Sequence, residues 1–234
     1  MKKGIGRYLF RRKGLASLGS IVPDYWYDGT DSSFMTLNGS NEVENITDKG
    51  SGGYVLTNSG TPKPVFNNKI EFRVGGTLIR NSSNWMSDGA DWKLYVVFDL
   101  INTTRGYLWR NADTANDRIG MLYDGSDNLI VQKYVSSIEN VSLASYTPIG
   151  KSFVIITHDS GVMSAKVDGM VMGGSAGPGT SGTIRTMFNS TTWGVTSEGL
   201  DWDLYDFLYK ENVTSEEDTI IQNYLQDKHN IQPL

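Results

Sequence analysis

From residue 23 onward the chain reads as short runs of β-branched and aromatic residues, separated by clusters of Gly, Asn, Asp and Ser at roughly 8–15-residue spacing. This punctuation is that of an antiparallel sandwich or barrel, because polar turn formers break the chain before any helical stripe develops. The clearest strands are WKLYVVFDLI from Trp92 to Ile101, DRIGMLYD from Asp117 to Asp124, NLIVQKYV from Asn128 to Val135, SFVIITHD from Ser152 to Asp159 and GVMSAKVDG from Gly161 to Gly169. YDGSDN joins the second of these to the third and HDSGV the fourth to the fifth, each with Asp and Gly where a hairpin needs positive φ. In the last run Val162, Ser164 and Lys166 alternate with Met163, Ala165 and Val167, which predicts one wet and one buried face.

One helix is predicted, near the C-terminus. Thr214 stands as N-cap with Glu217 three residues on, a capping box, and Glu216, Glu217 and Asp218 suit the positive end of the helix dipole. Ile220, Ile221, Tyr224 and Leu225 form one apolar stripe, so the helix is expected to pack onto the sandwich.

Six Trp, twelve Tyr and eight Phe are enough to build a core. With no Cys, neither a disulfide framework nor a thiolate metal site is available. The first twenty residues lack the apolar core of a signal peptide, and no run of apolar residues is long enough to span a bilayer. The net charge of −5 conceals an asymmetry. Lys2, Lys3, Arg7, Arg11, Arg12 and Lys13 sit in an acid-free arm, which leaves 15 cations against 26 acids, or −11, for the remainder. A body of that charge lacks the clustered cations of a duplex-binding face.

Two stretches carry a resemblance. Pro23 to Phe66 contains the loop Asp48-Lys49-Gly50-Ser51-Gly52-Gly53, and Leu200 to Ile231 contains DWDLYD followed by a helix with Tyr224, Leu225 and Lys228. Together they resemble the opening and closing of laminin-G-like, concanavalin A-like lectin domains of bacteriophage and bacterial surface proteins. The loop is an imperfect version of the family's D-K-S-G-N-G pattern, and Asp206 stands where the family usually has Glu. The resemblance implies an all-β, antiparallel jelly-roll sandwich at residues 23–234 with one C-terminal α-helix, preceded by an extended basic arm at 1–22. It implies little about activity, since this sandwich hosts lectins, glycosidases and structural modules alike.

Some glycosidases of the class carry Glu-x-Asp-x-x-Glu, at whose positions Asp201, Asp203 and Asp206 fall. Retaining hydrolysis needs two carboxyls about 5–5.5 Å apart on one face. In a regular strand Asp206 points away from Asp201 and Asp203, so a bulge would be required, and the shorter Asp side chains draw each carboxyl back. No catalytic residue is therefore assigned. His158 and His229 offer no metal-ligand spacing. No cofactor is implied; Ca²⁺ stays open at two oxygen-rich turns, Asp28 with Asp31 and Asp124 with Asp127, which Asx-turns explain equally. The glycine-rich stretch from Met172 to Thr183 lacks the GK[ST] ending of a phosphate cradle and reads as a loop. Trp85, Trp109 and Trp193 are the candidate sugar platforms, against the alternative of core Trp.

The arm is open to four readings: nucleic-acid arm, amphipathic anchor, solubility tail, or docking peg. A peg would use Lys2, Lys3, Arg7, Arg11, Arg12 and Lys13 for an acidic neighbour and Tyr8, Leu9 and Phe10 for a small pocket. The expectation is a non-enzymatic bacteriophage virion protein, assembled in the host bacterial cytoplasm as an auxiliary or decoration subunit. Its partners would be capsid or tail subunits and host surface glycans, with no nucleic acid bound by the body. The alternative is a tail-borne receptor binder or a glycoside hydrolase.

Overall fold

The computed structural model describes residues 17–58, 61–73, 78–79, 90–114, 117–134, 138–143, 146–147, 150–174, 185–188 and 200–232. Its strands, in chain order, are β1 (Tyr25–Asp28), β2 (Met35–Leu37), β3 (Val43–Thr47), β4 (Val55–Asn58), β5 (Val65–Phe66), β6 (Ile70–Phe72), β7 (Leu78–Ile79), β8 (Trp92–Leu100) and β9 (Gly106–Thr114). They continue with β10 (Asp117–Tyr123), β11 (Leu129–Tyr134), β12 (Ile138–Leu143), β13 (Ser152–Asp159), β14 (Val162–Val167), β15 (Met170–Val171), β16 (Arg185–Phe188) and β17 (Trp202–Glu211), and the chain then enters helix α1 (Ser215–His229). The strands form two antiparallel sheets. One runs β15-β14-β13-β8-β17-β6-β5, with β1 also paired to β17, and the other runs β12-β11-β10-β9-β16-β7-β4-β3-β2. The chain crosses repeatedly between the sheets, as a jelly roll does.

Apolar residues alternate into the gap between the sheets. Trp92, Leu94, Val96 and Phe98 of β8 meet Trp202, Leu204, Phe207 and Tyr209 of β17 and Met121, Tyr123, Leu129 and Val131 of the second sheet. Phe72 stacks on Trp202 at 4.6 Å, and Phe207 meets Phe188 edge-on at 5.0 Å. Full burial of such side chains stabilises by roughly 1.5–3 kcal/mol each. The two hairpins at the end of the first sheet turn through paired left-handed residues, Ser160 and Gly161 then Asp168 and Gly169, as type I′ connections require. The β14 burial alternates residue by residue in the predicted phase.

The outer face of the first sheet holds a second apolar cluster under α1: Tyr95, Val97, Phe153, Ile155, Tyr205, Leu208, Ile221 and Leu225. Leu18 and Ile21 join it, so chain ahead of Pro23 also packs on the body. Thr214 and Glu217 form the predicted capping box, and Asn230 closes the helix in the left-handed conformation.

One irregularity sets the geometry of this outer face. In the pairing of β17 with β8, Leu204 faces Phe98 and Asp206 faces Val97, so Tyr205 is an extra residue. Beyond this bulge the alternation reverses, and Asp203, Tyr205, Asp206 and Leu208 all lie on the helix-facing side. Gly29 presses against the bulge: its N–H donates to the Tyr205 carbonyl at 2.8 Å, and a Cβ there would stand 2.3 Å from the Leu204 carbonyl oxygen.

Candidate functional site

The two stretches that carry the sequence resemblance meet on this bulged face. Asp28 of β1 lies directly opposite Asp206 of β17, and the Lys228 ammonium bridges the two carboxylates at 2.8 and 2.7 Å. His229 and the Trp26 indole N–H also contact Asp206, the latter at 2.6 Å. Lys49 reaches Asp28 at 2.8 Å and Asp31 at 3.0 Å, with its ammonium 4.4 Å from the Trp26 ring centroid and 4.9 Å from that of Phe34. Burial alone would raise the Asp28 carboxyl, but Lys228 and Lys49 hold it down at about 2. Lys49 is raised in turn, its own burial outweighed by Asp28 and Asp31. The neighbouring Asp48 carboxylate accepts the backbone N–H groups of Trp26, Gly50 and Gly53 at 2.6, 2.7 and 3.0 Å, while burial pushes its pKa up. The motif residues Asp48, Lys49, Asp206 and Lys228 thus form a lock that fastens β1, the 48–53 loop and α1 to β17.

The DWDLYD acids are arranged differently from the regular-strand expectation. The bulge at Tyr205 puts Asp203 and Asp206 on the same side, yet both are fully buried. Asp203 lies in a row with Asp99 of β8 and Glu71 of β6, and Lys69 at 2.6 Å and Arg73 at 3.0 Å pair with it. Burial and the nearby Asp203 push Asp99 upward. Asp201 is half-buried at the strand's start, where its backbone carbonyl accepts the Ile101 N–H.

The candidate sugar platforms and ion turns fare differently. Trp109 is sealed in the core, edge-on to Phe207 at 5.5 Å, which corrects its reading as a sugar platform: β9 directs it into the gap between sheets. Trp85 and Trp193 lie outside the described residues, as do Lys2, Lys3, Arg7, Tyr8, Leu9, Phe10, Arg11, Arg12 and Lys13 and most of the glycine-rich loop. At the Asp28 turn Lys49 already supplies the positive charge. Asp31 caps a short 3-10 turn through Ser33, Asp124 accepts from Ser126 and Asn128, and Asp127 accepts the Tyr123 hydroxyl. Among the described residues no three His, Cys, Asp or Glu side chains gather as a metal site would need. His158 is buried, stacked on Trp92 at 5.2 Å, with Nδ1 3.0 Å from the Ala90 carbonyl.

A polar cleft of about 190 Å³ opens between α1 and the outer face of β13 and β14. Lys93, Thr157, Ser164, Lys166, Gly169, Asp218 and Gln222 line it, with Ile155 as its apolar floor. A smaller hollow of about 150 Å³ continues from Lys93 and Thr157 toward Asp91, Asp159 and Val213. Asp218 ties one wall together, contacting Lys93 and accepting the Tyr95 hydroxyl and the Gln222 amide, both at 2.8 Å. Burial opposes ionisation of Asp218, but Lys93 and the other donors hold its pKa below the usual carboxylate range. No short motif marked these residues, which come from four separate elements. The visible signals were Lys93 and Thr157 interrupting apolar runs, and Ser164 and Lys166 on the predicted wet face of β14.

No protein-family model and no curated protein matches the chain. Solved structures with the same sandwich do. A botulinum neurotoxin serotype D/C binding domain superposes with a TM-score of 0.62 at 12% identity, over 90% of this chain and 53% of that one. The binding domain of botulinum neurotoxin DC in complex with SialylT gives 0.58 at 12% identity, over 90% and 53%. A Trypanosoma rangeli sialidase in complex with 2,3-difluoro-KDN gives 0.58 at 13% identity, over 87% and 32%. The chain therefore spans about half the length of the toxin domains, and what it shares with all three is the β-sandwich fold.

Proposed function

We propose that this chain is a non-enzymatic carbohydrate-binding domain. The observation that carries the reading is the state of the β17 acids. Asp203 and Asp206 are fully buried, and each is held by two basic side chains. Glycoside hydrolysis needs one carboxyl to protonate the leaving oxygen and a second to attack or to activate water. Neither acid here is free to reach a sugar, whereas the cleft beside α1 offers hydroxyl, amide and ammonium groups to solvent. The fold supports the same reading: structures that share it include a toxin binding domain in complex with SialylT, and another concerns interaction with two ganglioside molecules.

We place the domain on a bacteriophage virion assembled in the host cytoplasm, with the basic arm docked on a capsid or tail subunit and the sandwich facing host glycans. This placement rests on the sequence resemblance and on the contrast between the cationic arm and the acidic body. A glycan array probed with the full chain tests the binding reading. Saturable binding to a defined subset of saccharides is expected; a blank array, or release of free sugar from a bound glycan, overturns it.

A further inference from the structure

We infer that the cleft between α1 and the outer face of β13 and β14 is the domain's ligand site, and that it takes a sugar bearing a carboxylate. The inference rests on the carbohydrate-binding reading and names the place and the charge of the ligand.

The cleft floor is set by strand register. Lys93 pairs across to Thr157 and Thr157 to Ser164, so three polar side chains from β8, β13 and β14 form one cross-strand row. The next row places Lys166 beside Ile155. All point outward, because their neighbours Leu94, Ile156, Met163, Ala165 and Val167 fill the core. The charges on the helix-side wall are already matched, since Asp218 engages Lys93, Tyr95 and Gln222. Lys166 differs: among the described residues its ammonium has no hydrogen-bonding or ion-pairing partner, and the Thr157 and Ser164 hydroxyls have none either. The cleft therefore presents one unbalanced positive charge beside two groups that both donate and accept hydrogen bonds. A carboxylate answers the first and ring hydroxyls answer the second. The Gln222 amide spends one N–H on Asp218 and leaves its carbonyl for a further hydroxyl. Ile155 supplies a small apolar floor for the C–H face of a ring. The volume of about 190 Å³ falls below the roughly 300 Å³ of the smallest drug-sized sites, so one sugar ring fits and a longer chain would project into solvent. On a body of net −11, an unmatched cation in a concave site also discriminates: it draws in an acidic sugar that the rest of the surface repels.

The test is an NMR titration of the full-length, isotopically labelled chain with glucuronic acid, glucose and acetate in parallel. Glucuronic acid is expected to shift the Thr157, Ser164, Lys166 and Gly169 amides saturably, with glucose and acetate each at least about tenfold weaker. Lys166 is exposed, so Lys166→Ala leaves the fold intact and is expected to weaken glucuronic acid about tenfold, while Lys166→Arg restores most of the affinity. Equal responses to glucose and glucuronic acid overturn the charge preference. Saturable shifts mapping elsewhere, or an unchanged affinity in Lys166→Ala, overturn the site while leaving carbohydrate binding intact. If the cleft amides stay silent and the glycan array is also blank, both this inference and the binding reading fall.

Discussion

At the scale of single residues, the acids divide by what neutralises them. Asp48 is 5% exposed and accepts the backbone N–H groups of Trp26, Gly50 and Gly53, all lost in Asp48→Ala. Stranding those donors under β1 is expected to cost about 2–3 kcal/mol, read as a lowered urea midpoint with an unchanged slope. Asp124→Ala, on an exposed turn, is expected to cost under about 1 kcal/mol. Asp28 makes a prediction in pH. Its carboxyl is depressed to about 2 in the folded chain against about 3.9 unfolded, so its contribution is present above pH 4 and is lost as pH falls from about 4 to about 2. That contribution is on the order of 2 kcal/mol. Asp48 is raised and works in the opposite sense, so the comparison to make is parent against Asp28→Asn. The variant is expected to show a shallower loss of stability over that window in acid titrations monitored by circular dichroism, and an equal slope would remove Asp28 from the lock.

At the scale of elements, the predictions concern how α1 and β17 are held. Thr214→Ala removes the acceptor for the Glu217 N–H and is expected to lower stability by about 1 kcal/mol, with Thr214→Ser nearly neutral. Gly29→Ala drives a methyl into the Leu204 carbonyl and is expected to destabilise more than Thr214→Ala, since the bulge would have to move. The capping box, the hairpin turns and the β14 alternation were legible in the sequence because each is a local rule: a cap and its partner lie three residues apart, and a type I′ turn declares itself by its own residues. The facing of Asp206 was not legible. A period-two reading sends it away from Asp203, and only the unpaired Tyr205 turns it back. Nor could spacing show that Lys69, Arg73 and Lys228 would claim these acids, because those partners arrive from the two flanks of β6 and from the helix. Trp109 was equally ambiguous, for an aromatic that looks adequate as a platform is also what fills a core.

At the scale of the whole molecule, the sandwich surrounds its core with an internally neutralised lock on one side and leaves a polar cleft beside it. The resemblance read from both chain ends points to that lock: its motif residues hold the ends of the fold together, which is why they predict architecture better than activity. On the placement proposed above, the arm acts at the scale of an assembly. Removing residues 2–13 is expected to leave the melting temperature of the body within about 2 °C of the parent, while abolishing incorporation into virion particles; incorporation at normal occupancy would discard the docking role. Binding and hydrolysis are separated by following a saccharide chosen from the glycan array through binding and recovery on the same sample. A purely binding domain is expected to show saturable binding and quantitative recovery of the intact saccharide after prolonged incubation, with Lys166→Ala weakening the binding. Accumulation of shortened sugars that stops in Asp203→Asn, at a temperature where that variant is folded, would contradict it.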